Sequence, residues 1–245
     1  MIGARLLNGD VRDLSTETSP DIPDGELLRR FWYPIATTRE LTPESPIRSV
    51  RILSEGLVLF LDESGGVGLV QERCTHHGAL LCYGYVDVDS LVCPRHGWQF
   101  DLEGNCFIRY GEKVYPVGWG KATTYPVERY AGLYWAYLGP TPVPALPGHD
   151  ILDRQDGHRS ITVYPIAEEA WVTAPGAQSE AADQPGSPAL VPLPDGQLRL
   201  LTPVDDSHTW VVDVAFHHTG GQPEVNPAEE DPETTYLDIP LGRLG

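Results

Sequence analysis

Two short runs of residues carry the chemistry of this chain. One is Cys74-Thr75-His76. The other, after sixteen intervening residues, is Cys93-Pro94-Arg95-His96. Each run offers one thiolate and one imidazole. Two cysteines on one iron and two histidines on the other is the donor set of a mixed-ligand [2Fe–2S] cluster. Under that reading Cys74, His76, Cys93 and His96 are the metal- and cofactor-binding residues. In C-x-H and in C-x-x-H the two side chains of one loop reach different irons, so each loop clamps the cluster along its length. Gly78 and Gly97 follow the histidines closely, where glycine lets a loop turn tightly and bring its N–H groups toward cluster sulfur. The competing use of two cysteines and two histidines is a zinc site. Zinc spacings usually pair cysteine with cysteine and histidine with histidine, whereas each run here carries one of each.

The elements around these runs are short strands. From Ser49 the apolar period is two: Ser49–Leu53, Leu57–Leu61 and Val67–Gln71 read as successive strands, and the first ligand loop follows directly. Tyr83–Val88 is a further strand, and Leu91-Val92 leads into the second loop. Trp98–Leu102 and Cys106–Tyr110 flank Glu103-Gly104-Asn105 as a hairpin. Thr123–Glu128 and Leu133–Leu138 complete the set. Upstream, residues 24–32 read as a short helix with an apolar face of Leu27, Leu28, Phe31 and Trp32, stopped by Pro34. The expectation is a mainly β (α+β) chain: residues 1–145 form an antiparallel β domain with an N-terminal helix and the ligand loops at one tip.

Pro142–Pro147 reads as a linker. Residues 146–245 read as a second region, with strands at Ser160–Ile166, Leu198–Leu201 and His208–His217. In the last of these Trp210, Val212, Val214 and Phe216 share the core face, with Asp213 and His217 on the other. Residues 174–196, rich in Pro, Gly, Ala and Ser, read as a flexible surface loop, and Pro223–Glu233 as an acidic tail.

The bulk numbers fit this picture. The chain has 245 residues, with 25 Gly and 23 Pro favouring turns over long helices. A formal net charge of −18 argues against binding nucleic acid or anionic membranes and suggests an acidic face for a basic redox partner. No apolar run is long enough to span a bilayer, and no leader is read in the first residues. Of the four cysteines, Cys82 and Cys106 read as small buried core residues. Reduced thiols fit a cytoplasmic setting.

The first 150 residues resemble the N-terminal Rieske domain of the Rieske non-haem iron oxygenases, in particular the phthalate-dioxygenase-like branch of aromatic-ring hydroxylating and demethylating enzymes. The resemblance rests on GELLRRFWYPIA at 25–36, ERCTHHGALL at 72–81, CPRHGWQFDLEGNC at 93–106 and GLYWAYLGP at 132–140. TPVDDSHTW at 202–210 is similar to a late strand of their catalytic domain. The resemblance implies a Rieske-type cluster filled by a reductase or ferredoxin. It implies a ring-shaped trimer too, in which one subunit's cluster serves its neighbour's iron. Respiratory Rieske proteins carry an extra cysteine pair and a serine near the cluster. Here Ala79, Arg95 and Trp98 stand at those places, implying a potential low in the Rieske range of about −150 to +300 mV.

The sequence departs from the family where the mononuclear iron should be bound. The pattern of an acidic residue or Asn, two residues, His, four residues and His does not occur in it. The expectation is a truncated remnant of the catalytic-domain sheet with no catalytic residues of its own. The chain then moves single electrons from a reductase to a non-haem iron centre, as an auxiliary subunit beside an oxygenase homologue or in a self-trimer. The alternative is a self-contained oxygenase with an unrecognised iron site, for which Glu168, Glu169, His208 and His217 are candidates by elimination. A third reading is a redox sensor switched by the cluster.

Overall fold

The structure, a computed structural model, describes residues 18, 23–164, 166–168, 170, 190–218 and 235–240. It is mainly β. The elements in chain order are α1 (Pro23–Leu28), β1 (Trp32–Thr37), β2 (Ile47–Ile52), β3 (Glu55–Leu61), β4 (Val67–Gln71), β5 (Tyr85–Asp87), β6 (Ser90–Val92), β7 (Gln99–Phe100), β8 (Cys106–Tyr110), β9 (Lys113–Pro116), β10 (Val127–Tyr130) and β11 (Leu133–Tyr137). There follow α2 (Asp150–Asp153), β12 (Gly157–Val163), β13 (Leu190–Leu193), β14 (Gln197–Pro203), β15 (Thr209–His218) and β16 (Thr235–Pro240).

By its contacts the chain forms two compact units. One is Pro34–Val143; the other joins Met1–Tyr33 to Pro144–Gly245. The first unit is built on antiparallel sheets of order β2-β3-β4 and β5-β6-β7-β8-β9, with β1-β11-β10 beside them. Strand β3 is the central strand of its sheet, and Leu57, Val58, Leu59 and Phe60 on it are fully buried. Burying both faces of a central strand removes four large apolar side chains from water, each contributing roughly 1.5–3 kcal/mol.

One core cluster of this unit runs from Val58, Phe60 and Val70 through Leu91 and Phe100 to Cys74, Cys93, Trp98 and Cys106. The apolar interior and the ligand loops are therefore continuous. Loop 72–80 leaves β4 and returns through a 3₁₀ turn at Leu81–Tyr83, while loop 93–98 connects β6 to β7.

The second unit carries one antiparallel sheet of order β13-β14-β15-β12-β16. Its core face holds Ile161, Leu198, Leu200, Val212 and Val214, all fully buried, as the period of β15 predicts. On the opposite face Asp213 pairs with Arg199 through two hydrogen bonds of 2.7 and 2.8 Å and accepts a third from the Tyr164 hydroxyl at 3.1 Å. Burial, and then the Asp213 carboxylate, raise the Tyr164 phenol above its ordinary value.

Several expectations are corrected. The helix ends at Leu28, and Trp32 already lies in β1, an edge strand that tolerates Pro34 because an edge leaves outward N–H positions unpaired. Residues 83–88 are the end of a turn followed by the short β5, because Gly84 breaks the strand. A Cβ at Gly84 would stand 2.1 Å from the Val92 carbonyl oxygen. Part of the expected loop 174–196 is ordered: Leu190–Leu193 is β13, paired with β14. Residues 174–189 and Pro223–Glu233 lie outside the described residues.

Candidate metal centre

The two ligand loops are built on one backbone pattern. In the first, the Cys74 N–H donates to the Ala79 carbonyl at 2.8 Å and the Gly78 N–H to the Cys74 carbonyl at 2.8 Å. In the second, the Cys93 N–H donates to the Trp98 carbonyl at 2.7 Å and the Gly97 N–H to the Cys93 carbonyl at 3.1 Å. Each cysteine is thus bonded four and five residues ahead, and each loop closes on a glycine in the left-handed region, Gly78 at φ +68° and Gly97 at φ +69°. Nothing lies within 4 Å of a Cβ built on either, so the requirement for glycine is conformational and not one of space.

The loops bring the expected residues together. Cys74 and Cys93 are both buried, and their thiols lie in one core cluster. Burial first, and the second thiol after it, push Cys74 up to about 11, against the N–H groups of His76 and His77, which donate to its sulfur. The His76 and His96 rings lie edge to face with centroids 4.8 Å apart. His76 is clamped by Trp98, parallel to it at 4.3 Å and 5°. Burial, then the charges of His77, His96 and Arg95, keep the His76 imidazole below its ordinary pKa, in the neutral form that ligates metal.

One observation tests the fit of a metal group. His76 Nδ1 is buried and has no hydrogen-bond partner. Such an atom costs about 1–3 kcal/mol unless something occupies its lone pair or takes its proton. Set against two buried thiols, it fits a metal-bound imidazole. No three His, Cys, Asp or Glu side chains among the described residues are grouped to hold one ion. His77 occupies in the first loop the place, three residues after the cysteine and one before the glycine, that His96 occupies in the second; both are exposed, and the His77 ring packs at 3.9 Å on His76.

A third segment escaped the sequence reading. The Thr75 hydroxyl donates to the Gly120 carbonyl at 2.8 Å. A Cβ on Gly120 would lie 2.8 Å from Trp98 and 2.9 Å from Cys106 Cβ, so only glycine permits this approach. Trp119 beside it sits edge-on to Trp98 at 4.9 Å and to His76 at 6.5 Å while staying 71% exposed. The signal for this segment was a tryptophan between two glycines directly after a hairpin. Cys106 lies beneath the thiol pair, and burial first, then Cys74 and Cys93, push it up to about 12. All four cysteines are free.

The candidates for a mononuclear iron do not converge. His208 Nδ1 bonds Asp205 at 2.7 Å within its turn, and His217 bonds the Ser160 hydroxyl at 2.8 Å and stacks on His158. Glu168 is exposed, and Glu169 lies outside the described residues.

Residues 31–114 match the Rieske [2Fe-2S] domain family. The 5,5'-dehydrodivanillate O-demethylase oxygenase subunit of Sphingobium sp. is 37% identical over 169 residues, 64% of this chain and 38% of that protein. The phenoxybenzoate dioxygenase subunit alpha of Ectopseudomonas oleovorans is 42% identical over 137 residues, 54% of this chain and 32% of that protein. The chain thus spans about a third of the length of these curated relatives. Among solved structures, dicamba monooxygenase with non-heme iron and dicamba superposes with a TM-score of 0.63 at 18% identity, covering 82% of this chain and 80% of that one. Pseudomonas putida CBB5 NdmA with caffeine gives 0.60 at 21%, covering 81% and 77%.

The first unit is a Rieske domain, and its cofactor is a Rieske-type [2Fe–2S] cluster. Residues 31–114 belong to the Rieske [2Fe-2S] domain family, and over 49–64% of its length the chain is similar to oxygenase subunits that include phthalate 4,5-dioxygenase of Pseudomonas putida.

Proposed function

We propose that this chain relays single electrons from a reductase or ferredoxin to a non-haem iron centre, as an auxiliary subunit of a Rieske oxygenase system in the cytoplasm. The observation that carries this reading is the pairing of two buried thiols with the partnerless, buried Nδ1 of His76. Cys74 and Cys93 would hold the inner iron, and His76 and His96 the outer one. The bound cluster supplies a one-electron couple. The protein supplies the rest. The N–H groups of His76 and His77 donate to the Cys74 sulfur and draw charge from it, and Trp98 fixes the His76 ring plane. The buried wall formed by Leu91, Phe100 and Cys106 keeps water from the thiolate side.

A second reading, a self-contained oxygenase, is favoured by one observation: the fold likeness to dicamba monooxygenase covers 82% of this chain and so extends beyond the Rieske unit. Iron and sulfide per chain after anaerobic purification separate the two. Two irons with two sulfides and a Rieske EPR spectrum fit the relay. A third iron, together with oxygen- and reductant-dependent turnover lost on His208→Ala or His217→Ala, fits the alternative.

A further inference from the structure

The charge of this chain is not evenly spread. It carries 35 acidic and 17 basic residues, yet segments 73–86, 91–100 and 114–127 contain no Asp or Glu. These segments hold the two ligand loops and the Gly120 segment that braces them. Their charged residues are Arg73, Arg95 and Lys121. Arg73 is exposed and donates to the Gly78 carbonyl of the first loop at 3.2 Å. Arg95 is exposed in the second loop, directly before His96. Lys121 is exposed directly after Gly120, whose carbonyl takes the Thr75 hydroxyl. Neither Arg95 nor Lys121 has an ion-pair partner among the described residues.

The nearby carboxylates leave this charge largely uncancelled. Glu72 lies 3.9 Å from the Arg73 Nε, with its carboxylate against Gly56. Asp101 is held in its hairpin by the N–H groups of Glu103 and Asn105. Among these cations stands Trp119, 71% exposed and in ring contact with Trp98 and, at 6.5 Å, His76. A large exposed aromatic on the same loops as uncancelled cations is the make-up of a small docking anchor. A permanent interface would be broader and more apolar; a patch this small and charged suits a transient encounter steered by opposite charge.

We propose that the face carrying Trp119, Arg73, Arg95 and Lys121 docks an acidic one-electron carrier protein. The inference rests on the cluster reading above and reverses the sign of the partner expected from net charge. On docking, one electron leaves the reduced carrier and enters the oxidised cluster. The carrier is oxidised by one electron and the cluster reduced by one, and no bond is made or broken.

The test uses the cluster-loaded full chain and a reduced plant-type ferredoxin, an acidic [2Fe–2S] protein, as the probe in stopped flow. The second-order rate should fall about tenfold between low and physiological salt, and Lys121→Glu should lower the low-salt rate about tenfold, as for other steered pairs. Trp119→Ala should lower the rate at all salt concentrations. Reduction by a neutral photogenerated deazaflavin radical should be unchanged in Lys121→Glu, and its EPR spectrum should match the parent. A rate insensitive to salt and to Lys121→Glu overturns the proposal. So does faster low-salt reaction with a basic carrier such as cytochrome c. A salt-sensitive dimer abolished by Lys121→Glu, with the ferredoxin rate unmoved, also overturns it and makes this face a self-association surface. Absence of the EPR signal in the parent protein is a failure of the cluster reading and not of the docking proposal.

Discussion

At the scale of single residues, the choice of histidines is the point on which the site turns. The two loops share their backbone bonding, and by that pattern His77, not His76, is the counterpart of His96. Side-chain environment points the other way: it is His76 that has the buried, partnerless nitrogen and the Trp98 clamp. His76→Ala and His96→Ala should therefore abolish the Rieske EPR spectrum, and His77→Ala should keep it with a changed potential. Loss of the spectrum in His77→Ala with its retention in His76→Ala would reassign the ligand. The C-x-H and C-x-x-H spacings were legible because ligand chemistry resides in residue type. Trp119 was not, since an exposed tryptophan carries no donor set and acquires its meaning only from ring contacts 21 and 43 residues away in the chain, at Trp98 and His76.

At the scale of elements, the glycines of the site separate into two kinds that respond differently to alanine. Gly78 and Gly97 have open space around them and a positive φ, so alanine costs about 1 kcal/mol of backbone strain at each. A fall of several degrees in melting temperature, with the cluster still bound, is the expected outcome in calorimetry. Gly120 is the reverse, since its alanine Cβ would meet Trp98 and Cys106 at under 3.0 Å. Gly120→Ala should displace Trp98 from His76 and alter the EPR g-values, which the other two leave nearly unchanged. In the second unit the Arg199–Asp213 pair bridges β14 and β15 with side chains only 19% and 11% exposed. Asp213→Ala leaves a mostly buried guanidinium short of its main partner and should cost roughly 2–3 kcal/mol by denaturant titration, somewhat below a fully buried pair.

The same scale explains which strands could be read. Strands β4, β8 and β15 carry short apolar runs bounded by turn residues, and the sequence places each within a residue or two. Strand β9 was missed because all four of its residues are exposed and no face of it is buried. Strand β13 lies in a Pro-rich stretch whose composition resembles a loop, and only its partner β14 makes it a strand. The helix was extended to Trp32 because an i, i+4, i+5 apolar face also serves an edge strand of aromatic residues.

At the scale of the whole molecule, the question is how much chain the cluster needs. The family match ends at residue 114. The structure places essential bracing beyond it. The Gly120 carbonyl holds Thr75, the Ala122 N–H donates to Gly104 at 2.8 Å, and β4 is flanked by Gln71 N–H to Thr123 at 2.9 Å and Tyr125 N–H to Leu69 at 3.0 Å. Strand β11, with five buried residues, lies later still. All of these contacts fall before the second unit resumes at Pro144. A fragment of residues 31–143, which keeps β1 whole, should therefore take up two irons and two sulfides and give the parent EPR spectrum. A fragment of residues 31–114 lacks the floor under Trp98 and the strap over Thr75. It should load poorly, lose its cluster quickly in air and bind a hydrophobic dye. Equal cluster stability in the two fragments would show that the loops hold the cluster by their own backbone bonds. Failure of both would show that the second unit is needed to hold the first in its folded state.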